Sequence, residues 1–111
     1  MPFHPTSISV YPDAQERFDQ LAKKAAEGKQ PEQAVWKALL VSVARIRIDG
    51  QWGEVIPPKS IPRRYSRDVG VTNLYCVDLP SFHRLFYTIH DRDIILLDVV
   101  DHREYDRLMK G

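Results

Sequence analysis

The densest phosphate-binding chemistry in the sequence lies between residues 57 and 70. Lys59, Arg63, Arg64 and Arg67 stand there against one carboxylate, Asp68, and Tyr65 sits among them. Arginine and lysine grip phosphate oxygens, and an aromatic ring offers a face on which a base can stack. The segment Pro57-Pro58-Lys59-Ser60-Ile61-Pro62 is proline-rich, so an extended loop is expected to carry these side chains. The same composition also suits a solvated connector. Other chemistries have less support. Cys76 is the sole cysteine, which excludes an intrachain disulfide and disfavours a thiolate metal site. His83 and His90 fall on opposite faces of one strand, and no pair of histidines has metal-ligand spacing. There is no glycine-rich phosphate loop and no dinucleotide fingerprint. Neither a metal nor a small-molecule cofactor is expected.

The 111 residues fit one domain, expected to span 1–111, with residues 1–6 as an unstructured N-terminal tail holding His4 and residues 50–70 as the basic loop. Hydrophobic residues at 43% and charged residues at 28% are ordinary for a globular chain. The net charge is only +1, so any nucleic-acid contact must be made by a local patch. No apolar run approaches the roughly 20 residues of a spanning helix. Met1-Pro2-Phe3-His4-Pro5 lacks the basic and apolar segments of a secretory signal. A cytoplasmic protein without membrane contact is the expectation.

The elements that must position these residues are legible from periodicity. Ser7 to Tyr11 alternates and reads as a short strand ended by Pro12. Asp13 with Glu16 has capping-box spacing, and Phe18, Leu21, Ala22 and Ala25 recur at helical spacing up to Gly28. A second helix begins near Pro31 and carries Val35, Leu39, Ser42, Val43 and Ile46 on one face. The short link between the two predicts an antiparallel helical hairpin. Trp36 and Trp52 read as packing residues. Beyond the loop the period changes to two. Asn73–Leu79, Arg84–His90 and Ile94–Val100 are predicted strands joined by short turns, hence an antiparallel meander. Asp101 with Glu104 predicts a short closing helix through Met109. The expected class is α+β: a helical hairpin packed on an antiparallel sheet.

The order β-α-α-β-β-β-(α), with His83-Arg84-Leu85-Phe86-Tyr87-Thr88-Ile89 and Leu97-Asp98-Val99-Val100-Asp101-His102-Arg103-Glu104-Tyr105, resembles the RelE/ParE toxin superfamily. The likeness is greatest to archaeal RelE-like proteins. It covers the chain in element order, and in residues from about Val71 onward. It implies a type II toxin held silent by a cognate antitoxin. RelE-type members enter the ribosome and cut messenger RNA without a metal. The 2′-hydroxyl attacks the adjacent phosphate, while the protein supplies electrostatics and proton transfer.

Carried over residue by residue, the resemblance makes Arg84 the strand arginine that holds the scissile phosphate, against a structural role in an ion pair with Asp78 or Asp98. Arg103 would be the second arginine, on the leaving oxygen or the backbone. His102 would act as acid or base, and Tyr105 would transfer a proton or stack on a base. RelE proteins have two lysines on the first meander strand; Cys76 and Asp78 stand at those positions here. A carboxylate cannot stabilise a phosphorane but can serve as a base, so Asp78, with His83 or His90, would form the base side. Lys59, Arg63, Arg64, Tyr65 and Arg67 would bind RNA or an acidic antitoxin segment. The partners implied are the antitoxin, the ribosome and mRNA. The alternative is a non-nucleolytic member of the same fold, such as a gyrase inhibitor or a partner-binding protein.

Overall fold

The computed structural model describes residues 2–110; Met1, in the expected tail, and Gly111 lie outside the described residues. The chain runs β1 (Ser7–Val10), α1 (Gln15–Ala26), α2 (Glu32–Ile48), β2 (Glu54–Val55), β3 (Tyr75–Leu79), β4 (His83–His90), β5 (Asp93–Val100) and α3 (His102–Lys110). This is an α+β architecture. The helical hairpin and the β3-β4-β5 meander form as periodicity predicts. The sheet is mixed, which corrects the expectation of an antiparallel one. Its order is β1-β5-β4-β3-β2, and β1 runs parallel to β5 with Ser7 opposite Asp93 and Val10 opposite Leu96. β1 reaches that edge because its chain leaves it through the hairpin, not through a turn. β5, apolar along most of its length, is thereby enclosed between β1 and β4.

Two cores form, one on each face of the sheet. Phe18, Leu21, Val35, Leu39 and Ile46 of the hairpin pack on Val77, Leu85, Tyr87, Ile94, Leu96 and Val99. On the other face, Leu74, Cys76, Phe86, Leu97 and Val100 are covered by Tyr65 of the basic loop and Leu108 of α3. The loop is therefore not a solvated connector. It contains β2, a single turn of 3-10 helix at Pro58–Ser60 and a π-helical turn at Arg64–Val69. Ile56, Ile61, Val69 and Val71 pack against the second core.

Strict alternation along β5 would put residues 94, 96, 98 and 100 on one face. The pairing instead steps from Phe86–Asp98 to Tyr87–Leu96, leaving Leu97 as the extra residue of a bulge. Asp98 thus shares the face of Phe86, and parity beyond it is reversed.

Two further expectations fail locally. Asp13 does not cap α1: a 3-10 turn at Pro12–Ala14 precedes the helix, and Ala14 stands at the cap without a side-chain bond. Residues 3–6 are not a loose tail. Phe3 N–H donates to Asp49 Oδ1 at 3.1 Å, Gly50 N–H donates to the Phe3 carbonyl at 2.6 Å, and Arg92 donates to the His4 carbonyl at 2.7 Å. A Cβ on Gly50 would lie 2.6 Å from the Phe3 ring, so this approach needs glycine.

Tyr87 shows what the loop after α2 does for the core. The side chain is fully buried. Its hydroxyl donates to the Gly50 carbonyl and accepts from Gly53 N–H, both at 2.8 Å. Burial pushes the phenol up to about 12 from its ordinary 10.0, with the Gly53 bond acting in the opposite sense. Below pH 10 the phenol is protonated folded or unfolded. Between pH 10 and about 12 the unfolded chain releases the proton and the folded one keeps it, so stability falls, by about 2–3 kcal/mol in all. Tyr87→Phe should cost about 1–3 kcal/mol at neutral pH, because two buried backbone groups lose their partner. It should also remove this part of the alkaline loss. Denaturant unfolding of both proteins across that pH range checks it; parallel curves would contradict it.

Candidate functional site

On the second face, the β3-β4 register sets Asp78 opposite Arg84 and Cys76 opposite Phe86. The Arg84 guanidinium donates through Nη1 to Asp78 Oδ1 at 2.7 Å. The pair lies at the surface, with side chains 36% and 74% exposed, so it is worth about 1 kcal/mol or less. A surface partner of this kind can be exchanged for a phosphate. From above, Tyr105 of α3 lays its ring over the guanidinium at 4.3 Å and parallel to Phe86 at 6.0 Å. Partial burial lowers the pKa of Arg84, while Cys76, Asp78 and Tyr105 raise it, and the balance is upward. Arg84 is therefore a permanent cation. Burial pushes the neighbouring Cys76 thiol up, and Arg84 offsets this only in part, so the sulfur stays protonated at neutral pH.

α3 is held by the capping box read from the sequence. Asp101 Oδ1 accepts from Glu104 N–H at 2.9 Å, and Glu104 Oε1 accepts from Asp101 N–H at 3.2 Å. One flank of the helix carries His102, 5.9 Å from the Phe82 ring and 3.4 Å from Asp106 Oδ2. Asp78, Arg84 and Tyr105 thus form one group, with His102 at its rim. Arg103 does not join them. Two positions before Tyr105, it points about 200° away around the helix. It is exposed and has no ion pair among the described residues. His90 is exposed at the far end of β4, at the turn into β5, and His83 bonds to the Ser81 carbonyl. Neither histidine has a hydrogen bond or ion pair to Asp78 among the described residues, so the expected carboxylate–histidine base is not formed.

The opposite flank of α3 borders a cavity of about 440 Å³ lined by Arg17, Arg63, Arg64, Asp68, Val100, Glu104, Arg107 and Leu108. It gathers two of the loop residues named from the sequence. Lys59 and Arg67 are exposed and do not line it. Tyr65, expected as a stacking platform, is buried at 3% exposure, its ring 5.8 Å from Phe86. It is an anchor: the apolar second core outcompetes solvent for its ring. Its hydroxyl is the buried side-chain polar atom without a hydrogen-bond partner among the described residues.

Three contributors were not legible. Arg17 and Arg107 reach the cavity from helices distant in sequence. Phe82 is the exposed aromatic of the face, 79% exposed. It lies in the three-residue link 80–82 and, like Ser81, takes a positive φ (59° and 57°), a conformation usually given to Gly or Asn. The unusual residue in that turn was the available signal.

The remaining carboxylate, Asp98, is 3% exposed. It accepts from Arg17 at 2.9 Å and from its neighbour Val99 N–H at 2.8 Å, while Arg17 also reaches Glu104 at 2.8 Å. Burial raises its pKa against the pull of Arg17 and the Val99 N–H.

The chain matches no family model, no curated protein and no solved structure.

Asp78 and Asp98 separate surface chemistry from support. Asp78→Ala should change the unfolding free energy by less than about 1 kcal/mol. Asp98→Ala should cost about 1–3 kcal/mol, because it strips Arg17 and a buried N–H of their acceptor. Equal losses, measured by denaturant unfolding at pH 7, would contradict these assignments.

Proposed function

We propose that this chain is a RelE-like toxin, an endoribonuclease that cuts ribosome-bound messenger RNA and is held silent by a cognate antitoxin in the cytoplasm. The observation that carries the reading is the group of Arg84, Asp78 and Tyr105, a fixed cation with a carboxylate at 2.7 Å and a phenol ring at 4.3 Å. A helical hairpin followed by the β3-β4-β5 meander and α3 supports it, as does the arginine on the meander's second strand. Arg84 would turn from Asp78 to the scissile phosphate and neutralise the charge that builds there. The 2′-oxygen would form its bond to phosphorus as the 5′-oxygen leaves. Asp78, released from the arginine, would take the 2′-proton, and Tyr105 or His102 would return one to the leaving oxygen. No metal enters this scheme. Phe82 offers a solvent-facing ring for a base, a role closed to the buried Tyr65.

A partner would find exposed apolar side chains on α2, at Leu40, Val41 and Ile48, and at Val55 of the edge strand β2. These favour an antitoxin that covers the hairpin or extends the sheet.

A second reading has its own observation. Cys76 is a protonated thiol where RelE proteins carry a lysine, and Arg103 lies away from Arg84. A toxin of this fold that does not cut RNA fits that departure.

Purified protein added to a translation extract should stop synthesis and leave cuts in ribosome-bound message with a 5′-hydroxyl on the downstream fragment. Arg84→Ala should slow cutting by about 10²–10³-fold. Arrest with intact message would favour the second reading. Cutting unaffected by Arg84→Ala would remove this site from the mechanism.

A further inference from the structure

The cavity on the far flank of α3 combines features that the cleavage scheme does not use. Four guanidinium groups converge on it from α1, from the start of the π-helical turn and from α3. Arg17 is engaged by Asp98 and Glu104. Arg63, Arg64 and Arg107 have no ion-pair partner among the described residues, and Asp68 is the one other carboxylate of the lining. Three unengaged cations against Asp68, with Arg17 shared between two carboxylates, leave a surplus of one positive charge at the site. Like charges repel, so an arrangement of this kind is stabilised by an anion. Pro62 and Tyr65, buried on either side, hold the backbone from which the exposed side chains of Arg63 and Arg64 extend.

We propose that this cavity binds a small phosphate monoester of about nucleotide size. A monoester carries close to two negative charges at neutral pH and a diester one, so the three unengaged guanidinium groups attract a monoester more strongly. Guanidinium forks on separate elements suit a group with three terminal oxygens. The volume of about 440 Å³ exceeds what a bare phosphate needs and lies within the usual range for small-molecule sites. Val100 and Leu108 supply an apolar floor for the group that bears the phosphate. A second cavity of about 170 Å³ shares Arg64 and Asp68 with the first, and the Tyr65 that lines it holds the unpartnered hydroxyl. The fold thus keeps a spare donor next to the cation cluster. The site stands independently of the nuclease reading, since Arg84 does not line it.

Calorimetric titration of the full chain with inorganic phosphate, adenosine 5′-monophosphate and a 5′-phosphorylated RNA hexamer tests it. Saturable binding of the nucleotide is expected, weakened at least about tenfold by combined Arg64→Gln and Arg107→Gln and unchanged by Arg84→Ala. If the double variant does not fold, the arginine Nε–H resonances of Arg63, Arg64 and Arg107 in the unaltered protein should shift on adding the nucleotide. A preference for nucleotide over hexamer would identify a free metabolite as the source, and the reverse a strand end. No saturable binding in the millimolar range, or unmoved arginine resonances, would overturn the proposal. So would equal affinity for the hexamer with a 5′-hydroxyl, because the diester backbone would then be what binds.

Discussion

Tyr105 is the contact on which the second face of the sheet depends. α3 has nine residues and would not persist alone in water. Its first turn is closed by the reciprocal bonds of Asp101 and Glu104, and its inner side is fixed by Tyr105 and Leu108. The Tyr105 ring does two things at once. It lies parallel to Phe86, which seats the helix on the second core, and it covers the Arg84 guanidinium. The helix position then defines both flanks. One holds the Asp78–Arg84 pair and His102; the other closes the arginine cavity with Glu104 and Arg107.

The bulge in β5 is the second constraint. By turning Asp98 to the face of Phe86, it places a carboxylate under Arg17 and beside Glu104. One guanidinium thereby links α1, β5 and α3. The carboxylates of this face have different work because their surroundings differ. Asp98 is enclosed and bound to the scaffold, whereas Asp78 is open to water and holds Arg84 by a contact that solvent weakens. Only an exposed pair can open for a phosphate at low cost, which is why the chemistry is assigned to Asp78.

Much of this was legible from local pattern. The apolar stripe of Phe18, Leu21 and Ala25, the alternation of Tyr75, Val77 and Leu79, and the Asp101–Glu104 spacing each report on residues close in sequence. Asp78 was one of two partners weighed for Arg84, and only the resemblance brought Tyr105 to them. What escaped depended on distant contacts. Nothing near Tyr65 shows that its ring is drawn onto Phe86, and nothing near Ser7 shows that β1 runs parallel to β5. Arg17 and Arg107 meet the loop arginines only because three elements fold over one face. The helical phase that separates Arg103 from Tyr105 was present in the sequence; the resemblance grouped them by motif rather than by angle.

The arrangement is most directly tested by the proton shifts of the Arg84 side chain. A guanidinium under an aromatic ring at 4.3 Å places its δ-methylene protons in the ring current. The account predicts upfield shifts for those protons that vanish in Tyr105→Leu while the β4 amide shifts keep their strand values. Arg84 protons at ordinary solvent positions in the unaltered protein would contradict it, because α3 would then not lie over the site.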